Sequence, residues 1–344
     1  MGSADEKKPE SLIDFYAEYL ENIDFSKSKV AFPKKHMVLV CGGQVPKKNG
    51  SLTGVNIQNI EKEKFASLRE AFYKVYLQNC KSPFNMFMPE EMKSWQDHDL
   101  FNDLVEMEVM LAYACSIVLI FLESSGSLVE LGMFSQLNEF HGRVLVINND
   151  EFEFADSFIN LGALSYLRKR NEHSVCLYPR VSDCGVVTEE TMNFVIGDVS
   201  EYLKGLNKNE KFDVKNKFHY LIFILELIKI FRALTIKEIL DFAKISFLEF
   251  PEIEVDGNFI EKGLRVLIEF GVLENKGLGS YVFYILSSEK DFYRIKFHHK
   301  EGNDGDFARL RSEIIDFYRN SSESAHSKRL KSIKGLNEVS EELF

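Results

Sequence analysis

Glu130 is the residue of this chain best placed to do chemistry, because of the stretch that carries it. It lies in Ser116 to Phe134, SIVLIFLESSGSLVELGMF. Ile117 to Leu122 are all apolar and read as a strand buried on both faces. Glu123-Ser124-Ser125-Gly126 breaks the run, and from Ser127 the apolar spacing turns helical, with Leu128 and Leu131 facing one way and Phe134 following. A strand, a small-residue turn and a helix put that turn at the carboxyl edge of an open α/β sheet, where ligands bind. Glu130 then falls at about the first helical turn, where the partial positive charge of the helix terminus favours an ionised carboxylate. Free backbone N–H groups at that terminus can also hold an anionic or hydroxyl-rich ligand. A structural reading stands beside this one: a Glu in a first turn also simply complements the helix dipole.

Two further groups belong to the same edge. Met37 to Cys41 reads as a buried strand ending in Gly42-Gly43, which lets the backbone approach a ligand closely. The residues that follow, Gln44-Val45-Pro46, do not continue a GxGxxG fingerprint, so the usual dinucleotide site has no support. Asp99 to Ala114 reads as a helix with Leu100, Leu104, Met107 and Leu111 inward and the acids Asp103, Glu106 and Glu108 along it. Asp103 and Glu106, three apart, share a face.

The elements around these residues alternate. Ile60 to Cys80 reads as a helix, Asn85 to Met88 as a short strand, Arg143 to Ile147 and Ser174 to Tyr178 as strands, and Thr188 to Leu203 as a closing helix. That alternation predicts a doubly wound, mostly parallel α/β sheet over residues 35–205. Pro46 to Asn59 is a polar loop long enough to act as a lid. Before the sheet, residues 1–34 form a charged arm and a short amphipathic helix capped by Ser11, free to pack on the main domain or on a partner.

The polar stretch beginning at Gly205 is a domain boundary. Beyond it, residues 216–290 read as three helices and then two strands around a Gly-rich turn, the order of a winged helix–turn–helix. The first helix, Phe218 to Phe231, is apolar nearly all round and hence buried. The third helix offers Lys262 and Arg265 to nucleic acid, diluted by Glu261 and Glu269; a protein-interaction or structural role is the alternative. Residues 291–344 form a C-terminal helix and basic tail, with Lys328 and Arg329 in a cluster able to touch phosphates. His298-His299 has no spaced third ligand and is not read as a metal site.

Composition narrows the function classes. The net charge of −11 argues against indiscriminate nucleic-acid binding, so any such contact needs a local basic patch. The five cysteines, Cys41, Cys80, Cys115, Cys176 and Cys184, contain no CxxC pair, which argues against a disulfide framework or a structural zinc site. The start of the chain has no apolar signal segment, and the greasiest run, near Tyr220 to Phe231, is interrupted by Glu226 and Lys229. A cytoplasmic protein without a membrane span is expected.

Val40-Cys41-Gly42-Gly43, Asn102-Asp103-Leu-Val-Glu106-Met-Glu108 and Phe121-Leu-Glu-Ser-Ser-Gly-Ser-Leu-Val-Glu130-Leu-Gly132 together resemble the nucleoside 2-deoxyribosyltransferase-like effectors found with bacterial retrons. The resemblance covers roughly residues 35 to 205, and the helix-rich module behind it suits that architecture. It implies that Glu130 is a nucleophile that attacks an anomeric carbon, so that a base leaves and a glycosyl-enzyme forms. It implies that Gly42, Gly43, Ser125, Gly126 and Ser127 sit against sugar or phosphates, and that Asp103 or Glu106 orients a ribose hydroxyl. Ser124 stands where deoxyribosyltransferases often have an Asp six residues before the nucleophile. The implied reaction is therefore N-glycosidic hydrolysis of NAD or a related nucleotide, with NAD as substrate rather than cofactor, in a toxin of antiphage defence. The implied partners are a retron reverse transcriptase and its multicopy single-stranded DNA–RNA hybrid (msDNA), in a homo-oligomer or a larger retron assembly. Two other functions remain open: a nucleotide-sensing or nucleic-acid-binding regulatory module without catalysis, and a metabolic deoxyribosyltransferase, against which the second domain argues.

Overall fold

The computed structural model describes residues 11–48, 51–52, 65–78, 82–92, 100–152, 156–179, 188–248, 254–287, 292–300 and 307–341. Cys80, Cys184, the arm before residue 11 and most of the expected lid lie outside the described residues.

The chain begins with α1 (Leu12–Glu21), β1 (Ile23–Ala31), β2 (Met37–Cys41), β3 (Lys47–Lys48), β4 (Ser51–Leu52), α2 (Leu68–Gln78) and β5 (Asn85–Phe87). It continues with α3 (Leu104–Tyr113), β6 (Ile117–Phe121), α4 (Ser125–Gln136), β7 (Val144–Asn149), α5 (Ser165–Arg168), β8 (Val175–Tyr178) and α6 (Glu189–Gly205). The last part comprises β9 (Asn209–Lys211), α7 (Lys217–Phe231), β10 (Ala233–Leu234), α8 (Ile236–Ser246), α9 (Gly257–Glu269), β11 (Leu273–Leu278), β12 (Tyr281–Leu286), β13 (Arg294–His299), α10 (Phe307–Asn320) and α11 (Ser324–Glu341). These elements form two compact units, residues 34–207 and the residues before 34 together with those from 208 onward.

Residues 34–207 are built on a five-stranded, all-parallel sheet in the order β5-β2-β6-β7-β8. By order of appearance this is 2-1-3-4-5, so the winding direction switches between β2 and β6. Val38 to Cys41 pair with Ile117 to Ile120 across that switch. Both strands are continuous runs of buried apolar residues because helices cover both faces of a parallel sheet.

Local chemistry sets where the flanking helices begin. α2 starts at Leu68, later than the periodicity of Ile60 to Cys80 suggests, because Ser67-Leu-Arg-Glu70 is a capping pair. Ser67 Oγ accepts from Glu70 N at 3.0 Å, and the Glu70 carboxylate accepts from Ala66 N at 2.6 Å. α4 starts at Ser125 because Ser124 is its N-cap, its hydroxyl accepting from Ser127 N at 3.1 Å. Leu128, expected inward, is 41% exposed, and Leu104, expected inward on α3, is 49% exposed. The buried sides are instead set by Leu131 and Phe134 on α4, and by Met107, Met110 and Leu111 on α3.

The other unit holds two three-stranded antiparallel sheets, β13-β1-β9 and β10-β12-β11. α7 runs through its core, with nearly every residue buried. β11 and β12 form a hairpin whose turn uses Gly279 at φ +66°. α1 packs into this unit: Phe15 lies edge-on to Phe317 at 5.3 Å, and Tyr16 stacks on Phe242 at 4.5 Å. Among the described residues no helix is long and apolar enough to cross a membrane.

Candidate active site

The carboxyl ends of β2 and β6 meet at the switch point, and a buried arginine and several carboxylates converge there. Glu123, directly after β6, closes the crevice. Its carboxylate accepts from Gly43 N at 3.1 Å, Leu68 N at 2.6 Å and Arg69 N at 3.0 Å. Three N–H donors favour the charged carboxylate of this surface residue; desolvation of the carboxyl still outweighs them and raises the Glu123 pKa. Arg69 is almost wholly buried in the first turn of α2. Its Nε donates to Gly43 O at 2.6 Å, one Nη donates to Val40 O at 3.3 Å, and the fork binds the Glu90 carboxylate.

The two glycines make this junction possible. Gly42 has φ +149°, and a Cβ there would stand 2.8 Å from Phe121 Cβ. A Cβ on Gly43 would stand 2.6 Å from Ser67 Cβ and 2.9 Å from Glu123 Oε1. The space beside both residues is filled by protein. Gly43→Ala should therefore cost about 1–3 kcal/mol by overpacking, read as a lowered melting temperature; an unchanged melting temperature would show that the Glu123 junction yields freely.

Glu130 is the sixth residue of α4, in its second turn rather than its first. The dipole effect falls off within the first turn, and burial governs the group instead. Its Oε2 is buried and has no hydrogen-bond partner among the described residues. Burial, with repulsion from Glu108 and Glu90 only partly offset by Arg69, pushes its pKa up to about 7. Glu108, on α3, is likewise pushed up to about 7 by burial and by Glu90. Cys41, at the end of β2, is buried beneath these acids and its thiol is held well above the ordinary range, first by burial and then by Glu130 and Glu108. The expectation of a carboxylate ionised by the helix dipole is thus corrected: burial first, and then the neighbouring Glu108, raise the Glu130 carboxyl to about 7.

The other expected site residues fall as follows. Ser127 is buried, and its hydroxyl is engaged locally, accepting from Glu123 N at 3.1 Å and Ser124 N at 3.0 Å and donating to Ser124 O at 2.8 Å. Ser125 and Gly126 are exposed at the first two positions of α4. Asp103 is the N-cap of α3, accepting from Glu106 N at 2.8 Å, and the Glu106 carboxylate accepts from Asn102 N and Nδ2, each at 3.0 Å. Those two acids serve the helix start, and it is Glu108, two residues beyond Glu106, whose charge raises the Glu130 carboxyl. Arg69, Glu90 and Glu123 were given no role from the sequence, and Glu108 was noted among the acids of its helix without one. The Ser67-Leu-Arg-Glu70 capping signal would have located Arg69, and the phase of Met107 and Leu111 would have turned Glu108 inward.

Four cations were expected to meet nucleic acid. Lys262 is 2% exposed, and Arg265 lies 3.4 Å from Glu269. Arg329 is 1% exposed, its guanidinium donating to Ala233 O and to both oxygens of Glu238 between the rings of Phe283 and Tyr318. Lys328 Nζ stands 4.8 Å from the centre of the Tyr281 ring.

Comparison with known proteins places this arrangement. Over 150 residues the chain is 27% identical to the "Retron Ec73 putative ribosyltransferase/DNA-binding protein" of Escherichia coli, covering 43% of each protein. Over 103 residues it is 35% identical to the Escherichia coli retron Ec86 protein of the same description, covering 27% of this chain and 31% of that protein. The chain thus matches less than half the length of either curated relative. The family model of the STM3845 retron effector protein matches residues 66–275, more than half of the chain, from the Arg69 turn through Glu90, Glu108, Glu123 and Glu130 into β11, and the chain belongs to that retron effector family.

Proposed function

We propose that this effector is an N-glycosidase that cleaves a nucleotide, with NAD the substrate, through Glu130. The observation that carries the reading is the Glu130 carboxylate itself. One oxygen is buried without a partner among the described residues, its pKa is raised to about 7, and it lies on α4, the helix that follows β6 at the switch point of a doubly wound sheet. A buried polar atom left unpaired is costly, and sites that tolerate one are commonly catalytic. In the ionised form, a Glu130 oxygen attacks the anomeric carbon as the C–N bond breaks, and the bond's electron pair leaves with the base. Water then cleaves the glycosyl ester, and the carboxylate is regenerated. Ser124 caps a helix where a base-handling Asp would stand, which supports hydrolysis over base transfer. The names of the two relatives, ribosyltransferase and DNA-binding protein, agree with a glycosyl-transfer chemistry joined to a nucleic-acid-binding function.

The second unit supports the regulatory half of the reading. α7, β10, α8 and α9 followed by the β11–β12 hairpin have the order of a winged helix–turn–helix. In this reading a retron reverse transcriptase and its msDNA bind the effector and hold it inactive. The exposed apolar residues Leu128, Val129, Phe158 and Leu161 suit the expected homo-oligomer.

The test follows nucleotide pools by mass spectrometry in cells expressing this chain alone, parent against Glu130→Gln. Nicotinamide and ADP-ribose appearing only with the parent carry the reading. A steady NAD pool with another nucleotide losing its base would change the substrate. Cell death with no nucleotide cleaved would instead support a regulatory module without catalysis.

The raised Glu130 carboxyl gives a pH signature. Glu130 must be ionised to attack, so the rate rises with pH through about 7. Glu108→Gln removes a repelling charge, so it should move that limb to lower pH by about one unit. A pH–rate profile unmoved by the substitution would show that Glu108 does not act on Glu130.

A further inference from the structure

The sheet β13-β1-β9 has two unlike faces. Along β13, exposed and buried residues alternate: Arg294, Lys296 and His298 face solvent, while Ile295, Phe297 and His299 face inward. Val30 of β1 is fully buried, and Phe297 lies edge-on to Phe223 of α7. The apolar face therefore packs on the core of the unit, and the other is solvated.

The register decides what the solvated face presents. Lys29 of β1 stands opposite Lys296 of β13 on one side and opposite Lys211 of β9 on the other. Directly opposed residues of antiparallel strands project to the same face. Three lysines thus form a row across three strands, about 10 Å long at the usual strand separation. Arg294 extends the patch about 7 Å along β13, and His298 extends it the other way. Two acids lie in these strands outside the lysine row: Glu210 on the other face, opposite Val30, and Asp24, opposite His298 at the edge of the patch. Glu210 meets His219 at 3.1 Å, and Asp24, beyond the irregularity in β1, pairs with Lys27 at 3.2 Å. Among the described residues, none of Lys29, Lys211, Lys296 and Arg294 forms an ion pair with a carboxylate.

Like charges directly opposed across a sheet destabilise it. In a chain of net charge −11, with 53 acidic residues to draw on, such a row is not a by-product of composition. The outward residues of α9 offer no comparable charge: Asn258 and Glu261 are exposed, Arg265 is close to Glu269, and Lys262 is buried. The geometry points to the solvated face of the β13-β1-β9 sheet as a binding surface for the phosphate backbone of nucleic acid. Among the described residues of these strands, this face presents no exposed aromatic side chain to stack on bases and no large apolar side chain to enter a bilayer. It therefore reads phosphates without sequence preference, and single strand, duplex and hybrid all qualify as ligands. This inference rests on the nucleic-acid part of the proposed function and is independent of the glycosidase chemistry.

The experiment measures binding of the full chain to fluorescently labelled 20-nucleotide single-stranded DNA and to a DNA–RNA hybrid, by anisotropy over a salt series. The parent is compared with the triple variant Lys29→Ala, Lys211→Ala, Lys296→Ala. The expected result is a loss of about 100-fold near 0.1 M salt and a salt slope shallower by about 2 to 3, one phosphate contact per lysine. The melting temperature of the variant should be unchanged or raised, because the repulsion is relieved. A triple variant that binds like the parent overturns this surface while leaving the wider nucleic-acid reading intact. A parent that binds neither probe at low salt overturns both. Binding by the parent only to vesicles of phosphatidylserine and phosphatidylcholine, lost in the triple variant, would assign the face to a membrane and overturn the proposal.

Discussion

Glu130→Gln should lower turnover roughly a thousandfold or more while making the protein more stable at pH 8. The two effects have one cause. Gln keeps the shape of Glu but has no negative charge with which to attack carbon. The folded protein holds the Glu130 carboxyl at about 7 against an ordinary value of 4.5. Between those values the folded chain binds a proton that the unfolded chain releases, so stability falls as pH rises through that window. Above about 7 the full penalty is present, and replacing the charge with a neutral amide removes it. The expected gain is about 1–3 kcal/mol, seen as a higher melting temperature at pH 8 and little change at pH 4. A variant that is inactive but destabilised would show that Glu130 is a structural acid and that its loss of activity is a loss of fold.

Arg329→Ala should destabilise the unit that contains it by about 2–4 kcal/mol, because it empties a fully buried site and leaves the half-buried Glu238 carboxylate unpaired. Arg329 joins α11 to the start of α8. Its guanidinium satisfies the carbonyl of Ala233 and the carboxylate of Glu238, which also caps α8 through Thr235. Burial alone would raise the Glu238 pKa; the Arg329 and Thr235 contacts outweigh it and hold the group below its ordinary 4.5. The contribution is therefore complete at neutral pH and declines as pH falls below about 4.5. Thermal melting at pH 7 should fall by about 10 °C. Lys328→Ala, one residue away and partly exposed, should change stability by no more than about 0.5 kcal/mol. If Arg329→Ala melts like the parent and only loses affinity for nucleic acid, Arg329 is an interface residue and the buried pair carries no stability. The double variant Arg329→Met, Glu238→Leu should recover much of the loss, since an apolar pair of similar volume removes both charges together.

The strand–turn–helix around Glu130 was legible because its signals are local. A run of Ile, Val, Leu and Phe makes a strand buried on both faces, and Ser124 stops it and caps a helix within a few residues. The alternation of strands and helices over residues 35–205 gave the parallel sheet for the same reason. The hairpin of β11 and β12 was marked by its glycines, and α8 by the Thr235–Glu238 box. The row of outward cations on β13 was also readable as a period of two in Arg294-Ile-Lys-Phe-His, although no strand was assigned there.

Tertiary structure decided the rest. Gly43 and Glu123 are 80 residues apart and meet only because β2 and β6 are neighbours in the sheet. The titration of Glu130 depended on burial against Glu108 and Glu90, a through-space effect that overrode the helix dipole expected from its position. Lys262 and Arg329 look like solvated cations by composition, yet packing from distant segments buries both. The lysine row needs three strands from three separate parts of the chain, and a shift of one residue in their register would dissolve it. Sequence by itself determined most elements of residues 35–205 and the carboxylate on which the proposed chemistry turns, because capping and periodicity act over a few residues. Only the fold decided which charges are buried, which face each other and which meet solvent, because those energies depend on neighbours that the chain brings together from afar.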